Sequence, residues 1–336
     1  MSASAYDEAI VYIRDREYEH AVNILTRSGI LQWEAWAIVA GVLYTGTDVD
    51  KRLNHAIEIW TKLSAEGDAH SQQVLGAVLI RSDDHKKILE GVEWLEKAGK
   101  QGKAYALVNL AQIYYAGHGP LPADPKRCID YFQRAVDLGD TEAMITLAHY
   151  YSIGFGVKQS NEKYIELNQL AADAGNVKGN YNLGVSFEFG HFGPIDDDLA
   201  FKHYLVAAEG GIPEAQHNLG ARYFNGKGTP QDKQRGIACY LSAAANDSNL
   251  SQHCLGLACM SGDGLPKSDI NALSWFMMAC KNGSTDSAPF VEELRKKLSA
   301  EEVKQSVELC ESFKERFASI VRNSERVTDG LTDATE

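Results

Sequence analysis

Much of what membrane anchoring, nucleic-acid binding or catalysis would require is missing from this sequence. Its most apolar early stretch, Trp36 to Tyr44, is far short of the roughly 20 residues that a helix needs to cross a bilayer. The amino end, Met1-Ser-Ala-Ser-Ala-Tyr-Asp-Glu8, is polar and acidic and lacks the basic start and apolar core of a secretory leader. The expectation is a cytoplasmic protein without a membrane partner. Clustered lysine and arginine are also missing. The net charge is -13, and short basic runs such as Arg295-Lys-Lys297 are flanked by acids, so no nucleic-acid partner is expected. The six cysteines (Cys128, Cys239, Cys254, Cys259, Cys280 and Cys310) are irregularly spaced and read as reduced thiols buried like small hydrophobes.

Chemical motifs are equally scarce. Ten histidines form no His-Glu-x-x-His pattern, and no two Cys-x-x-Cys pairs occur, so neither metal nor cofactor is expected. Asp196-Asp-Asp198 precedes a helix, where acids are favoured without any ligand. Gly154-Phe-Gly156 and Gly226-Lys-Gly228 look like pieces of phosphate loops, but such loops follow a strand and the sequence has no strand pattern. No nucleophile is flanked by its base. The chain reads as a non-enzyme.

What is present is a repeat. A leucine followed by a small residue recurs as Leu75-Gly76, Leu110-Ala111, Leu147-Ala148, Leu183-Gly184, Leu219-Gly220 and Leu255-Gly256, in steps of 35, 37, 36, 36 and 36 residues. Val39-Ala40 lies one step upstream. A second marker keeps the same period: Gly67, Gly102, Gly139, Gly175 and Gly211, then Asp247 in place of glycine, then Gly283. Such a period marks a solenoid. Within the unit from Ala104 to Gly139, Ala104, Ala106, Leu110, Ile113 and Tyr114 recur at helical spacing. Gly117 to Pro122 then breaks the helix. Asp124-Pro125 caps and opens a second helix that buries Cys128, Tyr131, Phe132 and Ala135. No pair can hide both apolar faces alone, so neighbours must stack. The expected fold is all-α, a right-handed α-solenoid of antiparallel helix pairs.

Asn182-Leu-Gly184 with Phe187 and Gly190, and Asn218-Leu-Gly220 with Tyr223 and Gly226-Lys-Gly228, resemble the Sel1-like repeat family, a relative of tetratricopeptide repeats. The second-helix end of that family is visible as Ala207-Ala-Glu-Gly-Gly211 and, in variant form, as Ala171-Ala-Asp-Ala-Gly175. The resemblance runs from about Trp36 to Gly283. Three units depart from it: Ser82-Asp-Asp84 replaces the Gly-x-Gly turn, Phe192 stands where a second turn glycine belongs, and Asp247 replaces the helix-end glycine. The expected organisation is a helical cap over residues 1–35, repeats over 36–287, capping helices over 288–319 and a disordered tail over 320–336.

The resemblance implies that the first helix of each unit lines a concave groove. With Ala106, Leu110, Ala111, Ile113 and Tyr114 buried, the outward stripe is Tyr105, Asn109, Gln112 and Ala116. Its equivalents are Glu142, Thr146, His149 and Ile153, then Lys178, Asn182, Val185 and Phe189. Glu214, Asn218, Ala221 and Asn225 follow, and last Leu250, Cys254, Leu257 and Ser261. Asn109, Asn182 and Asn218 share one position, where an amide bonds either a neighbouring repeat or an extended partner peptide. Tyr105, His149 and Phe189 are candidate aromatic anchors. Val185, Leu250 and Leu257 would be exposed apolar groups on the same face. The functional expectation is a scaffold that binds a protein or peptide on this face, with an acidic surface that favours a basic one. The alternatives are an inhibitory or immunity-type protein for one cognate partner, and a hydrolase of peptide or cell-wall fragments.

Overall fold

The computed structural model describes residues 3–14, 17–27, 49–191 and 193–312. Val39-Ala40, Phe192, the end of the expected carboxy-terminal cap and the expected tail lie outside the described residues. The fold is an all-α solenoid of antiparallel helix pairs. Among the described residues no strand forms, and one isolated bridge joins His118 and Leu121. The chain divides into two compact units, Met1–Ser160 and Asn161–Glu336.

The first unit holds α1 (Ala3–Arg14), α2 (Tyr18–Arg27), α3 (Val49–Ala65), the pair α4 (Ala69–Leu79) and α5 (His85–Lys100), the pair α6 (Ala104–Ala116) and α7 (Pro125–Asp137), and α8 (Thr141–Ile153). The second unit starts with α9 (Asn161–Asp173). Three pairs follow: α10 (Val177–Phe189) with α11 (Asp197–Glu209), α12 (Pro213–Asn225) with α13 (Lys233–Ala245), and α14 (Asn249–Ser261) with α15 (Asp269–Lys281). It closes with α16 (Ala288–Lys297) and α17, residues 300–312.

Helix ends follow the sequence closely. Side chains of Asp68, Asp84, Asp124, Asp140, Asp196 and Asp232 each accept a bond from a backbone N–H of the first turn they precede. Ser82-Asp-Asp84 turns without glycine because Asp84 supplies that cap. Gly154, Gly190, Gly226 and Gly262 end first helices in the left-handed conformation. The second glycine of the turn has another task. A Cβ at Gly228 would lie 2.0 Å from the Asp197 carbonyl oxygen, because the turn rests on the start of the preceding second helix. Asp247 adopts the left-handed conformation itself, at φ 62°, and its carboxylate accepts from Asn282 at 3.3 Å.

The leucine–small dipeptide has a steric cause. A Cβ on Gly184, Gly220 or Gly256 would come within 2.6 to 2.8 Å of a ring carbon of Tyr204, Tyr240 or Phe276, on the second helix of the same pair. In the first unit Gly76 leaves the same space for Leu95. The leucine before each of these glycines is buried, so each pair closes by placing a large side chain flat on a bare backbone.

Successive pairs in the second unit are latched by histidine. His217 Nδ1 lies 2.9 Å from Ser251 Oγ, and His253 Nδ1 lies 2.8 Å from Ser287 Oγ. His217 packs against the Tyr240 ring, and His253 against Phe276 and Phe290. Burial lowers the pKa of both imidazoles, against the opposing pull of Glu188 on His217 and of Asp286 on His253. Burial likewise lowers that of His203, whose Nδ1 lies 3.0 Å from Asn180 Oδ1.

Two expectations follow for stability. Gly184→Ala should cost about 1–3 kcal/mol in denaturant unfolding, because the new methyl overlaps the Tyr204 ring. Gly193→Ala, with nothing within 4 Å, should leave the midpoint unchanged or slightly raised. The histidines hold their protons less well folded than unfolded, where the pKa is about 6.5. Below that pH the unfolded chain therefore binds more protons and stability falls, whereas above it the three contribute no pH dependence. Thermal unfolding followed between about pH 7 and 5.5 should show this loss, and the double change His217→Asn with His253→Asn should flatten it.

Candidate functional site

The outward stripe of first helices is exposed at its first and last positions and half-buried at its second. Tyr105, Gln112, Ala116, Glu142, His149 and Ile153 are exposed in the first unit, and Lys178, Phe189, Glu214, Asn225, Leu250 and Ser261 in the second. Phe189 and Leu250 each keep 59% of their surface in solvent and Tyr105 keeps 56%, a large exposure for such side chains. Val185 and Leu257 are half-buried rather than exposed, because they lean into the helix stack. Asn225 and Thr146 spend a hydrogen bond on their own helix, to the carbonyls of Ala221 and Glu142.

The repeated asparagines bond the preceding helix. Asn182 Nδ2 donates to Asn168 Oδ1 at 2.8 Å, and Asn168 in turn donates to the Tyr164 carbonyl, which fixes the direction of the chain of bonds. Asn218 acts on the Tyr204 hydroxyl as a donor does, lowering its pKa. That hydroxyl gives its one proton to Glu188 Oε2 at 2.6 Å, so Asn218 must be the donor. Each partner stands 14 residues earlier in the chain. Cys254 keeps the rule by bonding Tyr240. Asn109 breaks it: the residue 14 earlier is Leu95, and the buried Asn109 Nδ2 has no partner.

One turn after Asn218 stands a buried cation that no sequence motif singles out. Arg222 is 1% exposed. Its Nη1 donates to Asp197 Oδ1 at 2.9 Å and to the Asp197 carbonyl at 3.1 Å, its Nη2 lies 3.3 Å from Glu188 Oε1, and its guanidinium faces the Tyr204 ring. Glu188 is thereby held by a phenol and a guanidinium while its side chain keeps 24% exposure. Burial and the Glu188 contact push the Tyr204 hydroxyl far above the ordinary tyrosine range, so it stays a neutral donor.

The remaining candidates are occupied by structural work. Asp196 caps α11 and Asp197 holds Arg222. Among the described residues no group of histidine, cysteine and acidic side chains could hold a metal ion. All six cysteines are unpaired. Burial pushes the Cys128 and Cys259 thiols up to about 11 and Cys239 to about 12, so none is a ready nucleophile. No helix among the described residues is long and apolar enough to cross a membrane.

The Sel1 repeat model matches six consecutive segments, residues 76–103, 104–140, 141–176, 177–212, 213–248 and 250–284, well over half of the chain. The chain belongs to the Sel1 repeat family. A Sel1 repeat protein from Oxalobacter formigenes is 25% identical, with a TM-score of 0.66 over 87% of this chain and 86% of that one. Cytochrome c oxidase assembly factor 7 of Xenopus tropicalis is 26% identical over 106 residues, which are 32% of this chain and 46% of the relative. The chain thus spans about half the length of that relative. The immunity protein Pa5087 of Pseudomonas aeruginosa is 18% identical over 66% of this chain and 83% of its own, at a TM-score of 0.36, too slight a likeness to bear on function. Sel1 repeat proteins are generally protein-interaction scaffolds and typically non-catalytic.

The asparagine position should respond differently in the two units. Asn109→Leu should raise the unfolding free energy by about 1 kcal/mol by removing an unpaired buried donor. Asn182→Leu should lower it by about 1–2 kcal/mol, because Asn168 Oδ1 loses its donor. Paired denaturant titrations measure both.

Proposed function

We propose that this Sel1 repeat protein is a non-catalytic scaffold that docks a partner protein or peptide on the outward face of its first helices. The exposure of Tyr105, Ile153, Phe189 and Leu250 on that stripe carries the reading. Large apolar side chains left in water on stiff helices supply binding area at little conformational cost. Cytoplasmic residence is part of the same reading, since six unpaired thiols suit a reducing compartment.

The test is retention of a partner from lysate of the native cell on the immobilised full chain. Phe189→Asp with Leu250→Asp should lose the retained protein at unchanged helicity. Leu170→Asp with Val206→Asp, exposed on the second helices α9 and α11, should keep it. Equal loss from both pairs, or from neither, sinks the first-helix face as the docking surface.

A further inference from the structure

We propose that in the second unit the seam between α10 and α12, bounded by Tyr181, Glu188, Glu214 and Asn218, receives a lysine- or arginine-bearing segment of the partner. The inference rests on the docking reading above and names the chemistry of the occupant.

The seam is assembled from two independent features, and the first is the direction of the amides. Asn182 and Asn218 each spend one N–H inward, on Asn168 and Tyr204. The carbonyl oxygen of each has no donor among the described residues. Because Asn168 and Tyr204 are themselves committed to Tyr164 and Glu188, neither amide can reverse without losing a bond. The stripe therefore turns acceptors toward its ligand at both positions.

The second feature is the placement of charge. The Tyr181 ring centroid lies 6.1 Å from that of Tyr204, whose hydroxyl bonds Glu188, and burial followed by the charges of Glu214 and Glu188 pushes the Tyr181 hydroxyl up. Glu214 is exposed on the stripe one turn before Asn218, and Glu188 is fixed beside the Tyr204 hydroxyl that Asn218 also bonds. The positive charge that would balance them is withdrawn. Arg222 is shared between Glu188 and Asp197 and is shut from solvent, so its one charge is already divided between two carboxylates. Lys178, one turn before Asn182, is an exposed cation of the same stripe. His217 lies near Glu188, but its Nδ1 is engaged by Ser251 and burial keeps the ring neutral.

A seam that offers two carboxylates, two amide carbonyls and a phenol suits a donor-rich cation. An ammonium presents three donors and no acceptor, and a guanidinium five. A carboxylate-bearing segment would meet repulsion from Glu188 and Glu214. Prior fixation of Glu188 by Tyr204 and Arg222 means that its side chain has little freedom left to lose on docking. The net charge of -13 draws the same class of partner from a distance.

The test is fluorescence anisotropy with the full chain and three labelled leucine-containing glycine–serine peptides of equal length, carrying lysine, norleucine or glutamate at matched positions. The lysine peptide should bind about tenfold or more tighter than the glutamate peptide, and less tightly as salt is raised. Glu188→Gln and Glu214→Gln should each weaken it about fivefold, and Glu214→Lys more. Glu214 touches none of the bonds around Tyr204, so its variants hold the test even where Glu188→Gln loosens the fold. Glu292→Gln with Glu301→Gln, remote on α16 and α17, should change nothing. Failure of the lysine peptide to bind, or an equal loss from the remote pair, overturns the seam. If norleucine or glutamate peptides bind as well as lysine and lose affinity with Phe189→Asp, the docking face stands and the basic occupant falls. If no bound peptide responds to Phe189→Asp, the docking reading falls with it.

Discussion

The close approach between a bare first-helix backbone and a large side chain of the second helix governs the second unit. Gly184 beneath Tyr204, Gly220 beneath Tyr240 and Gly256 beneath Phe276 bring the two helices of a pair together, and a single methyl at any of the three would meet a ring carbon at 2.6 to 2.8 Å. A packed interior has no slack to absorb such an overlap. Because the ring is pinned, its outer edge is pinned too, and the next pair is built against that edge. Asn218 reads the Tyr204 hydroxyl and Cys254 reads Tyr240, so one ring sets both the closure of its own pair and the bond to the next.

That double use explains why polarity on the stripe is directional. A tyrosine hydroxyl holds one proton, and Glu188 takes the proton of Tyr204. Every other group that meets the hydroxyl must then donate, which decides the orientation of Asn218 and leaves its carbonyl outward. Asn168 imposes the same sense on Asn182 by an unrelated route, through its own bond to a backbone carbonyl. Two different second-helix residues thus converge on the same surface chemistry. Where the second helix offers Leu95 instead, the amide of Asn109 has nothing to bond, and the first unit lacks this polarised arrangement.

Much of this was legible in the sequence, and the part that was not has a definable cause. The repeat period, the helix caps at Asp124 and Asp196 and the outward stripe from Tyr105 to Ser261 all follow from one-dimensional spacing, since helical periodicity alone decides which side of a first helix meets solvent. Val185 and Leu257 are half-buried where spacing predicts exposure, because spacing within one helix says nothing of how the neighbouring helix leans over it. Arg222 was invisible for a related reason: arginines near helix ends are usually solvated, and only the joint approach of Glu188, Asp197 and Tyr204 makes a buried one tolerable. The asparagines do carry a signal in the sequence. Comparing each repeated asparagine with the residue 14 positions earlier separates Asn168 and Tyr204, which can pair with an amide, from Leu95, which cannot.

The departures from the repeat show how the same constraint is met by other chemistry. Asp247 takes the left-handed conformation that glycine adopts elsewhere, and its carboxylate bonds Asn282 of the next pair. Asn282 also donates to Gln252, and Asn249 bonds the Asn282 carbonyl, so the strained residue sits in a polar clasp that a glycine could not join. The histidine–serine contacts at Ser251 and Ser287 join the last pairs of the second unit by polar means as well. The pairs that carry the seam are joined instead through Tyr204, whose neutral hydroxyl and buried ring do not titrate near neutrality. The histidine–serine joints begin on the carboxy-terminal side of that contact, with His217 of α12 itself bonded to Ser251.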